Sequence, residues 1–265
     1  LRKKAKFTKT GVALPCIGGF HANKHELPMK KTLFFSLLVF FCLSGFAQET
    51  KRKFRFGLKA APVAAWIKPD YRSLPNGYSV DGGGVRLGFV WGPMAEFIIN
   101  ETFSFATGAD ISYTSGRLTG KINTPELAEE WEQLYKMRFV DIPLTLKFRT
   151  KEIGYLRYFG LFGMGVGIRT SAKTEFSRIF PDKKEEITPD DDTDKYVNLF
   201  RGSLLVGGGV EYNFSGNTSL VGSIVFNNGL TNLIKDQGFL KQDSDVNLNE
   251  KGVNNYFMLN IGILF

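Results

Sequence analysis

The sequence predicts an all-β fold: an eight-stranded antiparallel up-and-down transmembrane β-barrel, with a cleaved N-terminal signal peptide. Three observations carry the prediction. Apolar residues recur at every second position in eight separate segments, which is the period of a strand. The connections between those segments alternate between short and long. The face opposite the apolar one is crowded with Gly, Ser and charged residues.

Composition fits such a fold. The 265 residues are 43% hydrophobic and 14% aromatic, which excludes a disordered chain, and 25 Phe with 29 Gly favour extended structure over helix. The formal net charge of +8 is unevenly placed. Residues 1–47 hold eight of the 34 Lys and Arg and one of the 26 Asp and Glu, so residues 48–265 keep 26 bases and 25 acids. No basic patch is left there for nucleic acid, and no nucleic-acid partner is expected.

The segment "MKKTLFFSLLVFFCLSGFAQ" begins at Met29. Lys30 and Lys31 form a basic start, an apolar run follows from Leu33 to Leu43, and Gly45 and Ala47 occupy the small-residue positions before Gln48. That is a signal peptide over 29–47, cut between Ala47 and Gln48, and it is too short to span a membrane comfortably. Residues 1–28 are expected to be an upstream extension outside the natural chain, and 48–265 to be the barrel domain. Phe41 stands before Cys42 where a lipid-accepting Cys needs a small residue, so lipidation is not expected.

The strands follow in order. "KFRFGLKAAP" puts Phe54, Phe56, Leu58 and Ala60 on one face, with Arg55, Gly57 and Lys59 on the other. "GVRLGFVWGPMAEFII" aligns Val85, Leu87, Phe89, Trp91, Ala95 and Phe97 against Arg86, Gly88, Gly92 and Glu96. "FSFATGADISY" sets Phe103, Phe105, Ile111 and Tyr113 against Ser104, Gly108, Asp110 and Ser112. "FVDIPLTLKFR" sets Val140, Ile142, Leu144, Leu146 and Phe148 against Asp141, Thr145, Lys147 and Arg149. "YLRYFGLFGMGVGIR" opposes Tyr158, Phe162, Met164, Val166 and Ile168 to three glycines and Arg169. "NLFRGSLLVGGGVEYNF" opposes Phe200, Leu204, Val206, Val210, Tyr212 and Phe214 to Arg201, Ser203 and Glu211. "SLVGSIVFN" opposes Leu220, Ile224 and Phe226 to Val221, Ser223 and Asn227. The eighth strand is "YFMLNIGILF", where Phe257, Leu259, Ile261, Ile263 and Phe265 alternate with Met258, Asn260, Gly262 and Leu264.

Short connections fall near residues 100, 150 and 215, and long ones at about 67–82, 114–135, 170–197 and 228–251. Such alternation means that the two ends of the strand set face different surroundings, as in a membrane barrel with short periplasmic turns and long outer loops. Periodicity alone does not say which face points outward, because a soluble lipocalin-like carrier also has an apolar face. Glycines and charges on one face suit a narrow bore. Aromatics near strand ends on the other suit lipid–water boundaries. The expected location is therefore the bacterial outer membrane, with the apolar face toward the lipid bilayer. The last strand must then zip to the first, because lipid tolerates no open edge. Its residues Phe257, Leu259, Ile261, Ile263 and Phe265 also resemble the signal read by the outer-membrane barrel assembly machinery, an expected partner.

Several stretches carry a family resemblance: "FRFGLKAAP", "GFVWGPMAEFIINETFSFATGADISYT", "FVDIPLTLKFR", "YFGLFGMGVGI", "VGGGVEYNF" and "NNGLTNL". Over about residues 53–265 the chain resembles the PorT-type outer-membrane β-barrel family of Bacteroidetes-like bacteria. The resemblance implies an outer-membrane barrel. Its namesake's role implies an alternative function as an accessory of protein secretion or transport, with secretion-system proteins as partners.

Chemistry is expected to be absent. Both Cys and both His lie at or before residue 42. Outer-membrane barrel enzymes resemble one another in placing a His at the reacting centre, and without it a Ser or Asp nucleophile lacks its usual base. No catalytic, cofactor-binding or metal residues are expected, and no cofactor. "PDDDTDKY" begins like a calcium loop, but Lys195 stands at the glycine position and Arg201 at the terminal Glu position, so it reads as a solvated acidic loop that at most bridges cations to lipopolysaccharide. "TPELAEEWEQLYKM", with Leu127, Trp131 and Leu134 at helical spacing, predicts a loop helix on the rim. The inward face collects Arg55, Lys59, Arg86, Glu96, Asp110, Asp141, Lys147, Arg149, Arg169, Arg201 and Glu211. Two readings exist, an ion pathway and a mutual salt-bridge network. Eight strands leave room only for side chains, which favours the network. The expected function is a non-enzymatic integral outer-membrane protein with a filled lumen and long outer loops for surface or partner contacts. A small pore and a soluble carrier are weaker alternatives.

Overall fold

Alternation gives every strand one apolar and one polar side, and only ring closure pairs the backbone of both edges. That is what the computed structural model contains. It describes residues 53–70, 78–123, 128–180, 183–192, 197–215, 218–234 and 251–265. The expected upstream extension and the signal peptide, with Ala47 and Gln48, lie outside the described residues.

Eleven strands occur among the described residues: β1 (Phe54–Pro69), β2 (Tyr78–Gly82), β3 (Arg86–Ile98), β4 (Phe103–Gly108), β5 (Asp110–Asn123), β6 (Ala128–Arg149), β7 (Leu156–Phe180), β8 (Lys183–Asp192), β9 (Phe200–Ser215), β10 (Thr218–Gly229) and β11 (Gly252–Leu264). β2 adds only to β5 and β8 only to β7. The rest form an antiparallel ring of eight: β1, β3, the β4/β5 pair, β6, β7, β9, β10 and β11, with β11 returning to β1. β4 and β5 keep one register against both neighbours and count as one wall strand, interrupted at Ala109. Pro93 on β3 and Pro143 on β6 flank the interruption, and each lacks the N–H a ladder would use there.

The wall is inverted relative to a protein in water. Leu87 is 83% exposed on the outward face, while Glu211 on the inward face is 0% exposed. The outward faces together carry an apolar surface far beyond the few hundred Å² that a soluble monomer exposes, so they require lipid. Aromatic contacts mark both margins of this belt. Phe54–Phe97 (5.0 Å), Phe103–Phe148 (5.3 Å) and Tyr212–Phe214 (5.0 Å) lie at the short-turn end. Trp66, Phe226 and Phe257 cluster at the other end, with centroids 4.8–6.1 Å apart. From Phe54 to Trp66 along β1, at about 3.3 Å per residue and a tilt of about 45°, the height is about 28 Å, one hydrocarbon layer.

β6 and β7 run 22 and 25 residues, about twice what a crossing needs. Two sequence expectations are corrected here. The predicted rim helix over 124–137 is strand from Ala128 onward, and no helix occurs among the described residues. The long connections read at 114–135 and 170–197 are in large part continuations of β5, β6 and β7 with the added strand β8. The reason is a second period: Trp131, Gln133, Tyr135, Met137 and Phe139 all point inward at every second position, and burying that row outweighs the exposed turn of helix that Trp131 and Leu134 would share.

Candidate functional site

The lumen is the place where this fold collects chemistry, and it is filled in layers. Nearest the short turns, Arg55 (β1), Glu96 (β3), Lys147 and Arg149 (β6) and Glu211 (β9) converge. Arg55 donates through Nη2 to Glu96 at 2.5 Å and to Glu211 at 3.1 Å. Lys147 is bonded to Glu211 and lies 3.7 Å from Glu96. Arg149 lies 3.6 Å from Glu96 and 3.9 Å from Glu211. Ser104 donates to Glu96, and the Lys147 ammonium sits 3.9 Å from the centre of the Phe159 ring. β1 and β9 are not neighbours in the ring, so the Arg55–Glu211 bond crosses the bore. Two carboxylates shared by three cations in a site closed to solvent persist only because each is paired.

A cavity of about 100 Å³ follows, lined among others by Lys59, Asp110, Lys147, Ser203, Asn227 and Asn260. Beside it Lys59 donates to Asp110 at 2.7 Å. Arg201 grips Asp141 through Nη2 (2.6 Å) and Nε (3.0 Å), and Ser112 donates to the same carboxylate at 2.6 Å. The Arg201 guanidinium lies 4.0 Å from the Phe139 ring centroid and also reaches Asn254 and the Tyr256 hydroxyl, which accepts a bond from Asn227 at 2.8 Å. Gly167 makes this possible, since a Cβ there would strike Asp141 and Arg201.

The outer end is apolar. Ile67, Leu118, Trp131, Tyr135, Phe139 and Phe176 from the wall pack with Val197, Leu233 and Ile234 from two long connections. Asn198 N–H donates to the Leu233 carbonyl, and Leu233 N–H to that of Gly252, both at 2.7 Å. The Arg169 guanidinium donates to the Val197 carbonyl. These segments fold inward as a plug.

Of the eleven charges read from the sequence, nine thus lie in the two ionic layers and Arg169 braces the plug. Arg86 departs from the expectation of a lumen position. It sits at the rim, 3.7 Å from Glu132, with a third of its side chain exposed, because β3 ends there while β5 and β6 continue outward. Ser112, Asn227, Asn254 and Tyr256 were missed as partners, as were all the plug residues. The alternation of "WEQLYKMRF" was the available signal for the wall half of the plug. Outside the membrane, the turn between β6 and β7 is stitched by Glu152. A hydrogen bond from Asn213 and the adjacent Arg157 guanidinium, 2.6 Å away, hold its carboxyl below the ordinary range. Among the described residues no group of three His, Cys, Asp or Glu is placed to hold a metal ion.

An apolar belt one bilayer thick around a closed, polar-filled ring defines an integral outer-membrane β-barrel protein. The chain belongs to the outer membrane protein beta-barrel domain family, whose model matches residues 46–235. No curated protein matches it. Among solved structures it is similar to the Neisserial surface protein A (13% identity, covering 80% of this chain and 96% of that one, TM-score 0.39). It is also similar to OprG from Pseudomonas aeruginosa (11%, 80% and 95%, TM-score 0.40) and to Ail from Yersinia pestis (17%, 81% and 100%, TM-score 0.32). These likenesses are distant.

Proposed function

We propose that this outer-membrane protein is a closed, non-enzymatic anchor that acts through its outer hairpins and rim rather than through a passage. The observation that carries the reading is the double closure of the lumen, by the Arg55–Glu96–Lys147–Arg149–Glu211 cluster at one end and by the apolar plug at the other. An ion crossing the bore would have to break buried pairs and then shed its water against Trp131 and Ile234. The absence of any His or Cys after residue 42 supports a non-enzymatic role. The test is reconstitution of the whole barrel in planar bilayers. A silent bilayer is expected, and steady single-channel steps overturn the reading.

The partners of such an anchor are proposed from chemistry: the assembly machinery for the C-terminal strand, and lipopolysaccharide around the outer rim. The finer assignment to PorT-type barrels, with a secretion component as partner, is supported by the sequence stretches quoted above. Loss of secreted cargo on deletion tests it, and normal secretion rejects it.

A further inference from the structure

The ionic layer nearest the short turns does not balance. Arg55, Lys147 and Arg149 bring three positive charges, and Glu96 and Glu211 bring two negative ones. No third carboxylate among the described residues lies within ion-pair distance of these cations. All five side chains are at most 8% exposed. The second layer is neutral, with Lys59 and Arg201 against Asp110 and Asp141. One positive charge is therefore left over where bulk water does not screen it, and a buried charge without its counter-charge is costly. Donors are in excess as well, since Arg55 Nε and Arg149 Nε are buried and make no hydrogen bond.

The space for a counter-charge adjoins this layer. Lys147 belongs both to the cluster and to the lining of the cavity of about 100 Å³, and Lys59 lines the same cavity. Both ammonium groups have carboxylate partners, Lys59 in Asp110 and Lys147 in Glu211, so the deficit belongs to the layer as a whole and not to one unpaired side chain. Ser223, also in the lining, accepts a bond from the Asn260 amide at 3.2 Å, which leaves its own O–H to donate. Elsewhere in the lining, Asp110 Oδ1 and Asn260 Oδ1 accept no hydrogen bond from the protein, and water can serve them. A volume of about 100 Å³ holds a monatomic anion together with water, at about 30 Å³ per molecule in the liquid.

We infer that the cavity is a binding site for a small monovalent anion of the halide class, which supplies the negative charge that the lower ionic layer lacks. The site is structural, and it goes beyond the anchor reading without resting on it: conductance through the bore would reject the closed anchor and leave the anion site to be judged by the test below.

The full chain is refolded in detergent in sodium chloride, bromide or gluconate at equal ionic strength and fixed pH, because a closed cavity fills most readily during folding. Wild type is expected to have a folding equilibrium constant about tenfold larger in chloride or bromide than in gluconate, once the halide exceeds its dissociation constant about tenfold. Crystals grown from the bromide preparation should show anomalous scattering in the cavity beside Lys147. R149Q leaves two cations and two carboxylates in the layer, and its stability should no longer distinguish halide from gluconate. T145D offers a second check. Thr145 is the next inward position to Lys147 on β6 and lines the cavity, so the new carboxylate should stand in for the anion. Its barrel should be as stable in gluconate as in chloride. General salt effects on the surface act on wild type and R149Q alike and cancel in the comparison. Wild-type stability indifferent to the anion overturns the site, as does a cavity without bromide. An R149Q barrel that keeps the halide preference overturns the charge account.

Discussion

Phe265 and Phe56 exchange both of their backbone hydrogen bonds, Phe265 N–H to the Phe56 carbonyl at 2.7 Å and Phe56 N–H to the Phe265 carbonyl at 3.3 Å. Residue 265 therefore closes the ring through its main chain, while its ring lies half exposed on the outer surface with Phe257, Leu259, Ile261 and Ile263. Main-chain closure does not use the Phe265 ring, so an assembly role for that side chain can be tested by itself. Phe265→Ser is expected to lower the amount of barrel assembled in cells, read as the heat-modifiable fraction on gels. The same variant refolded in detergent should reach wild-type yield. Full assembly in cells would remove the assembly role from Phe265.

Glu211 is the buried counter-charge for Lys147, Arg55 and Arg149. Replacing it leaves three cations around Glu96 alone. Glu211→Gln should destabilise the barrel by about 3–5 kcal/mol in denaturant titrations from detergent. Adding Lys147→Met should recover part of that loss, since the pair is coupled. A double variant no better than the single would show that the cluster is not held by this pair.

Gly167 tests the second layer. A methyl group there collides with Asp141 and Arg201, so Gly167→Ala should cost about 1–3 kcal/mol. Gly84, with open space around its missing side chain but a φ of +87°, should respond through backbone strain instead. Equal stability of Gly167→Ala and wild type would mean that the Asp141–Arg201 pair has room to shift.

Leu144 tests orientation. It faces outward in mid-belt at 42% exposure. Leu144→Arg should destabilise the barrel by about 2–4 kcal/mol in lipid, as a charge on the membrane face does. A neutral outcome would contradict the lipid contact.

The strand faces were legible because alternation is local: Leu87, Leu144 and Ile224 point outward and Arg55, Glu96 and Glu211 inward, as their positions in the pattern imply. Partners across the bore were not legible. Which inward residue of β1 meets which of β9 depends on the tilt and stagger of the whole ring, and no single segment encodes these. The misread helix has a specific cause. Trp131 and Leu134 satisfy helical spacing, while the inward row from Trp131 to Phe139 includes a polar Gln133, which disguises its period of two. Val197, Leu233 and Ile234 sit outside the wall strands, so no alternation announces them.

The inverted wall has a consequence for mutational tolerance. Outward positions such as Leu87 and Ile224 ask only for oiliness, so Val, Ile, Leu and Phe are interchangeable there. Glu211 and Gly167 are each held by the shape and charge of several neighbours at once. A saturation scan of this chain would give the mirror image of a water-borne enzyme's map, permissive over the visible surface and unforgiving along the axis.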